Sequence, residues 1–203
     1  MFREALAHII ARLDEAQTRG LVTAYALIGG HAVSAWGVPR GTRDLDFAIA
    51  VGSTEPSSLA AFVGGTYQAG EPDDPLRGVI RAFAGLEGER IPLQLVILSP
   101  DLTAMIFKNM EVLTLRGCRV QVANWQALVI LKLYAGGPPD LLDAEQIMTV
   151  QHPSSQQLTT LSEMAEQVGL SKDWKGSSSG FGGASPYGAL AACARNVLAA
   201  SLG

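Results

Sequence analysis

The chain is short of charge. Only 17% of its 203 residues are Asp, Glu, Lys or Arg, and 15 basic residues face 19 acidic ones, for a formal net charge of -4. A broad electrostatic grip on nucleic acid needs clustered Lys and Arg, so a general nucleic-acid-coating role is disfavoured while a local basic pocket is still allowed. Cysteine is scarce: Cys118 and Cys193 form no CxxC pair, and a reduced, cytoplasmic setting is the expectation. No apolar run approaches the roughly 18 residues of a membrane span. The start is charged and amphipathic rather than continuously apolar, so no signal peptide is expected. What the chain does have is apolar content, 48% hydrophobic residues, enough to bury a sizeable core.

Periodicity predicts a mixed order of elements. Phe2, Leu6, Ile9, Ile10 and Leu13 recur at helical spacing over residues 2–17, with Gly20 as a stop. Tyr25 to Ile28 reads as a buried strand that ends in the Gly29-Gly30 turn, followed by a short helix over 31–36 and a loop over 37–42 pinned by Pro39. Residues 44–51 alternate as a second strand. A helix over 57–63 precedes strands at 79–86 and 93–98, joined by a hairpin turn at Glu87-Gly88-Glu89-Arg90. Asp101 is the expected cap of a helix running to Met110. Short strands at 112–115 and 119–122 turn at Arg116-Gly117, and three helices follow, at 125–134, from Pro139 to about Met148, and over 156–168. Residues 175–186 are rich in Ser and Gly and read as a linker before an Ala-rich helix at 189–202. The expected organisation is an α/β core over 1–123, a helical part over 124–174, and a tail over 175–203. The fold class is α+β, a mixed sheet with flanking helices and a helical C-terminal part.

The chemistry gathers in Ala26-Leu27-Ile28-Gly29-Gly30-His31-Ala32 and Arg40-Gly41-Thr42-Arg43-Asp44-Leu45-Asp46. A Gly-Gly pair after a strand lets the backbone turn sharply and approach a ligand, and its amides can cradle phosphate oxygens. Asp44 and Asp46 are two apart on an expected strand, so both carboxylates point to one face. Two such carboxylates repel in a dry site; a divalent cation bridging to substrate phosphates relieves this, and hard oxygen ligands suit Mg²⁺. Arg40 and Arg43 are placed to contact phosphate or to pair with the aspartates.

The pattern "LIGGHAV" followed by "PRGTRDLDFAI" resembles the nucleotidyltransferases of the DNA polymerase β superfamily, and is most similar to the bacterial AbiEii-like toxin group and its relatives. A second segment, "LVILKLYAGGPPDLLDAEQI", is similar to that group's helix–turn–helix motif. The resemblance covers roughly residues 20–150. It implies a polymerase β-like sheet. Gly29, Gly30, Arg40 and Thr42 would hold the triphosphate, and Asp44 and Asp46 would hold Mg²⁺ or Mn²⁺ and serve catalysis. Lys132 would reach toward the phosphates, with Asp140 and Asp143 opening the next helix. The implied activity transfers NMP from an NTP to a hydroxyl of an RNA, protein or small-molecule acceptor, and the toxin relationship implies a cognate antitoxin or partner protein.

The sequence departs from that pattern in two places. Gln94 stands where a third carboxylate is expected; its amide can ligate a metal but cannot act as a base. Glu87 and Glu89 are candidate substitutes. Gly137 and Pro139 replace the basic residues expected before Asp140. The alternative reading is therefore a catalytically degenerate nucleotide- or partner-binding module.

Overall fold

A computed structural model describes residues 2–71, 74–85 and 90–170. The expected hairpin turn at 87–90, all but Arg90, and the 175–203 tail lie outside the described residues. The described chain divides into two compact units, one comprising residues up to 35 and 39–124, the other 36–38 with the chain from Trp125 onward.

The first unit is built on a mixed sheet. Its elements are α1 (Phe2–Thr18), β1 (Ala24–Ile28), α2 (Gly29–Ala35), β2 (Leu45–Ala50), α3 (Pro56–Val63), β3 (Thr66–Ala69), β4 (Leu76–Ala84), β5 (Ile91–Leu98), α4 (Pro100–Phe107), β6 (Glu111–Leu115) and β7 (Cys118–Val122). Among the described residues the strand order is β3-β4-β5-β2-β1-β7-β6. β2 runs antiparallel to β1 and parallel to β5, β4 is antiparallel to both β5 and β3, and β7 pairs parallel with β1 and antiparallel with β6.

Alternation along the strands decides which face is covered. Phe47 pairs with Leu27 on one side and Leu95 on the other, and Leu95 pairs with Ile80. All four are fully buried. On β4 the residues between them are exposed, Arg81 and Phe83 in particular. The helices α1 and α3, which both reach β4, therefore cover the Ile80 face, with Leu6, Ile9, Leu13 and Leu59 as their buried residues. The turn between β6 and β7 has positive φ at both Arg116 (47°) and Gly117 (80°), the two-residue geometry whose twist matches a hairpin.

The second unit consists of α5 (Trp125–Ala135), α6 (Pro138–Gln151) and α7 (Ser155–Gln167), with residues 36–38 added to it. Trp36 is tied in by Gln151 Nε2, which donates to its carbonyl at 3.0 Å. α7 opens with a capping box in which Ser154 and Gln157 satisfy each other's backbone donors.

Four local expectations change. Asp44 precedes β2 rather than belonging to it. The cap of α4 is Ser99, which accepts from Leu102 N, with Pro100 in the first turn; Asp101 lies inside the helix. Pro100 lacks the N–H that the first turn would leave unsatisfied, so the boundary falls one step earlier. β4 starts at Leu76, three residues ahead of its expected start. The edge strand β3 had no counterpart in the sequence reading, because Thr66–Ala69 is short and carries no buried residue.

Candidate functional site

The antiparallel pairing of β1 and β2 brings the Gly-Gly turn to the aspartates. Ile28, the last residue of β1, pairs with Asp46, so the residue after it must pass over the Asp46 side chain. Gly29 does this with φ 66°, a left-handed conformation in which a Cβ is strained. A Cβ there would also come within 2.8 Å of the Asp46 Cγ and 2.9 Å of its Cβ. Gly30 is crowded from the other side: a Cβ would lie 2.7 Å from Arg40 Nη1 and 2.9 Å from Thr42 Cβ. Ser34 Oγ, one turn along α2, donates to the Gly30 carbonyl at 3.2 Å and lies 3.3 Å from the Arg40 carbonyl, which ties the loop to the helix. Gly29, Gly30, Arg40, Thr42 and Asp46 thus form one contiguous cluster.

Gln94 joins it through the sheet. β2 and β5 are parallel, and Asp46 pairs directly with Gln94. Paired positions share a face, so the amide occupies the place beside Asp46 that the sequence reading assigned to a third acid. Among the described residues no group of three His, Cys, Asp or Glu comes together to hold a metal. Glu87 and Glu89 lie outside the described residues. The donors that the register brings side by side are thus the Asp46 carboxylate and the Gln94 amide oxygen, while Asp44 lies in the loop just before β2. Hard oxygen donors of this kind suit a divalent cation whose remaining ligands would come from nucleotide phosphates. Arg43 is exposed in the loop before Asp44.

His31, the residue after the Gly-Gly turn, has a particular setting. It is 6% exposed, its ring centroid is 4.4 Å from that of Phe2, and its Nε2 has no hydrogen-bond partner among the described residues. Burial pushes its pKa below the ordinary 6.5, and the charge of Arg116 adds to this while Asp44 opposes it. Burial likewise raises the Tyr25 phenol, helped by its hydrogen bond to Asp14.

In the second unit Lys132 is 8% exposed and held by two acids. Its Nζ donates to Asp140 Oδ1 at 2.7 Å and lies 2.9 Å from Asp143 Oδ2, an ion-pair contact without hydrogen-bond geometry. Asp140 is in the first turn of α6, where the helix dipole favours an acid. The resemblance implies only that Asp143 helps to open the helix after Lys132, and the ion pair between them is a finding of the structure. The burial of Asp143 at 3% exposure was not legible from an acid in a polar helix segment.

The fold has solved counterparts. ANT(2″)-Ia in complex with adenylyl-2″-tobramycin is 17% identical with a TM-score of 0.52, covering 82% of this chain and 99% of that one. The solution structure of the antibiotic-resistance factor ANT(2″)-Ia is 18% identical with a TM-score of 0.53, covering 84% and 96%. A nucleotidyltransferase-like protein from Paracoccidioides brasiliensis is more distant, at 14% identity and a TM-score of 0.46 over 81% and 88%. No protein-family model and no curated sequence matches the chain. The α+β arrangement of this chain is the mixed-sheet fold of nucleotidyltransferases.

Two outcomes follow from the buried charges. Lys132→Met removes the cation that Asp140 and Asp143 share, and urea unfolding should show a loss on the order of 3 kcal/mol; an unchanged midpoint would show that the pairing contributes no stability. For His31, the folded state binds fewer protons than the unfolded state once pH drops below 6.5. Its contribution is therefore complete above that value and is lost as pH falls toward the lowered folded pKa. Thermal unfolding from pH 7 to pH 5 should show a falling midpoint, with a shallower fall in His31→Asn; equal slopes in the two proteins would rule His31 out as the source.

Proposed function

We propose that the chain transfers a nucleoside monophosphate from an NTP to an acceptor hydroxyl and releases pyrophosphate. The observation that carries this reading is the packing of the Asp46 carboxylate on Gly29, with Arg40 and Thr42 on Gly30. A backbone stripped of side chains, a flanking carboxylate and a guanidinium are parts that a metal–triphosphate site requires. In this reading the Gly29-Gly30 backbone, Arg40 and Thr42 hold the β- and γ-phosphates. Asp44 and Asp46 hold Mg²⁺ or Mn²⁺, which supplies charge neutralisation at the phosphates. Arg43 is a further phosphate contact. Gln94 orients the acceptor through its amide. The acceptor oxygen bonds to the α-phosphorus, the α–β bridging oxygen leaves with pyrophosphate, and the hydroxyl proton passes to water, since Gln94 cannot take it.

The resemblance adds three finer elements to the reading. Lys132 contributes positive charge toward the phosphates, with Asp140 and Asp143 fixing where its ammonium sits. The acceptor is an RNA, a protein or a small molecule. The protein belongs to a cytoplasmic toxin–antitoxin-like pair with a cognate partner. No described helix is long and apolar enough to cross a membrane.

The test is transfer of label from each α-labelled NTP onto cellular acceptors with Mg²⁺ or Mn²⁺. Transfer should occur with at least one NTP and fall by on the order of 100-fold in Asp46→Ala, the scale of losing a charge-stabilising group. Gly29→Ala should fall comparably, because its Cβ would displace the Asp46 carboxylate. Absence of transfer with every NTP and both metals would set the reading aside.

The second reading is a nucleotide- or partner-binding module without turnover. The register of Gln94 beside Asp46 favours it, as no third acid joins them among the described residues. Calorimetry showing NTP binding without turnover, together with activity gained in Gln94→Asp, would establish it.

A further inference from the structure

Strands β3, β4 and β5 carry two arginines, Arg77 and Arg81, and no aspartate or glutamate. The register fixes which of their residues share a face with Asp46. Asp46 pairs with Gln94, and Gln94 pairs with Arg81. Val79 and Phe83 follow Arg81's side of β4 at the two-residue period, and Gln68 pairs with Val79. The face leading away from Asp46 is thus made of Gln94, Val96, Arg81, Val79, Phe83 and Gln68.

Unlike the Ile80–Leu95–Phe47 face, this one is open. Arg81 and Gln68 are exposed, and Phe83 is 54% exposed. Two guanidinium groups are anchored on it. Arg81 Nη1 donates to Gln68 Oε1 at 2.6 Å, and the Arg90 guanidinium sits 4.1 Å from the centroid of the Phe83 ring. A guanidinium has five donors, so one bond to Gln68 leaves Arg81 the fork that grips an oxyanion. Neighbouring strands are about 4.8 Å apart, which puts the Arg81 backbone roughly 10 Å from that of Asp46, within reach of one small molecule.

We propose that this face binds the acceptor, and that the acceptor is a small alcohol bearing an oxyanion, a phosphate or a carboxylate. Arg81 holds the oxyanion, while the hydroxyl lies beside Asp46 and Gln94. The proposal rests on the nucleotidyl-transfer reading above and makes Arg81 the specificity-determining residue of that reaction. Charge complementarity supports it. Next to Asp46 the row is neutral and then positive, and the strand residues of β3, β4 and β5 include no acid to meet a cationic acceptor. A polyamino alcohol such as tobramycin, whose adenylyl adduct occupies one structural counterpart, would meet arginine here.

The test is an NMR titration of the full chain with glycerol 3-phosphate, glycerate, glycerol and tobramycin, with ATP·Mg²⁺ titrated separately. Glycerol 3-phosphate or glycerate should bind at least about ten-fold more tightly than glycerol, and the tighter of the two identifies the oxyanion. Arg81→Ala should abolish that preference, Arg81→Lys should keep part of it, and both should leave ATP affinity unchanged. Equal affinity for the three glycerol compounds overturns the proposal, as does a preference that survives Arg81→Ala or tobramycin binding most tightly. If ATP binds while no Arg81-dependent preference exists, the acceptor proposal alone fails. If ATP·Mg²⁺ does not bind at all, the nucleotidyl-transfer reading fails and takes the proposal with it.

Discussion

The close passage of Gly29 over Asp46 is the constraint around which the first unit is arranged. It follows from the antiparallel pairing of β1 and β2, which sets Ile28 opposite Asp46 and leaves the next residue no room for a side chain. A left-handed φ at the same position removes the alternative of a small L-residue. Steric and conformational demands coincide at one glycine, and both come from the register. Shifting β2 by one residue would turn Asp46 to the covered face and Phe47 out of the core. The buried row of Phe47, Leu27, Leu95 and Ile80 therefore fixes the site as firmly as the site's own residues do: burial of large apolar side chains selects the register, and the register aims the carboxylate. Each such side chain contributes roughly 1.5–3 kcal/mol by burial, well above what any exposed polar contact in the site offers.

Charge is distributed unevenly around that frame. The carboxylates of Asp44 and Asp46 lie at the opening of β2, with Arg40 and Thr42 across the Gly30 turn. Along the sheet the sign changes through a neutral Gln94 to Arg81. His31 is buried close enough to Asp44 and Arg116 for both charges to act on its ring, and burial disfavours the charged form. In the second unit the pattern inverts: one lysine faces two acids, with Asp143 and Lys132 both buried. A lysine so held has little freedom, and the two acids of α6 set its position.

The sequence was most legible where periodicity and burial agree. β2, β5, α1 and α7 announce themselves through apolar spacing, and the Arg116-Gly117 turn through its glycine. Legibility failed where an element has no buried face. Thr66–Ala69 becomes a strand only because β4 offers it a partner, a non-local cause that no local pattern carries. Ser99 displaced Asp101 as a cap because Pro100 already suits the first turn. The site divides in the same way. Gly29, Gly30 and Asp46 stand close together in the sequence as a motif and meet in the fold, and the interest of Gln94 is implied by the resemblance alone. Arg81 was not legible, since its relation to Asp46 exists only through two successive strand pairings.

The same two pairings decide what the missing acid at 94 does electrostatically. A carboxylate there would add a negative charge about 5 Å from Asp46; an amide removes it, and Arg81 one strand further supplies the opposite sign. At a separation of about 10 Å and an effective dielectric near 20, one unit charge acts on another with about 1.7 kcal/mol. Salt screens exposed charges over roughly 8–10 Å, so part of this is lost at the surface. What remains is too small to hold an acceptor by itself, yet it differs in sign for cationic and anionic acceptors, and discrimination depends on the difference. Direct hydrogen bonds from the Arg81 fork add to it for an oxyanion and for nothing else. Gln94 thus has two effects that need not be balanced against each other. It weakens proton removal from the acceptor, and it makes the neighbouring face hospitable to negative charge.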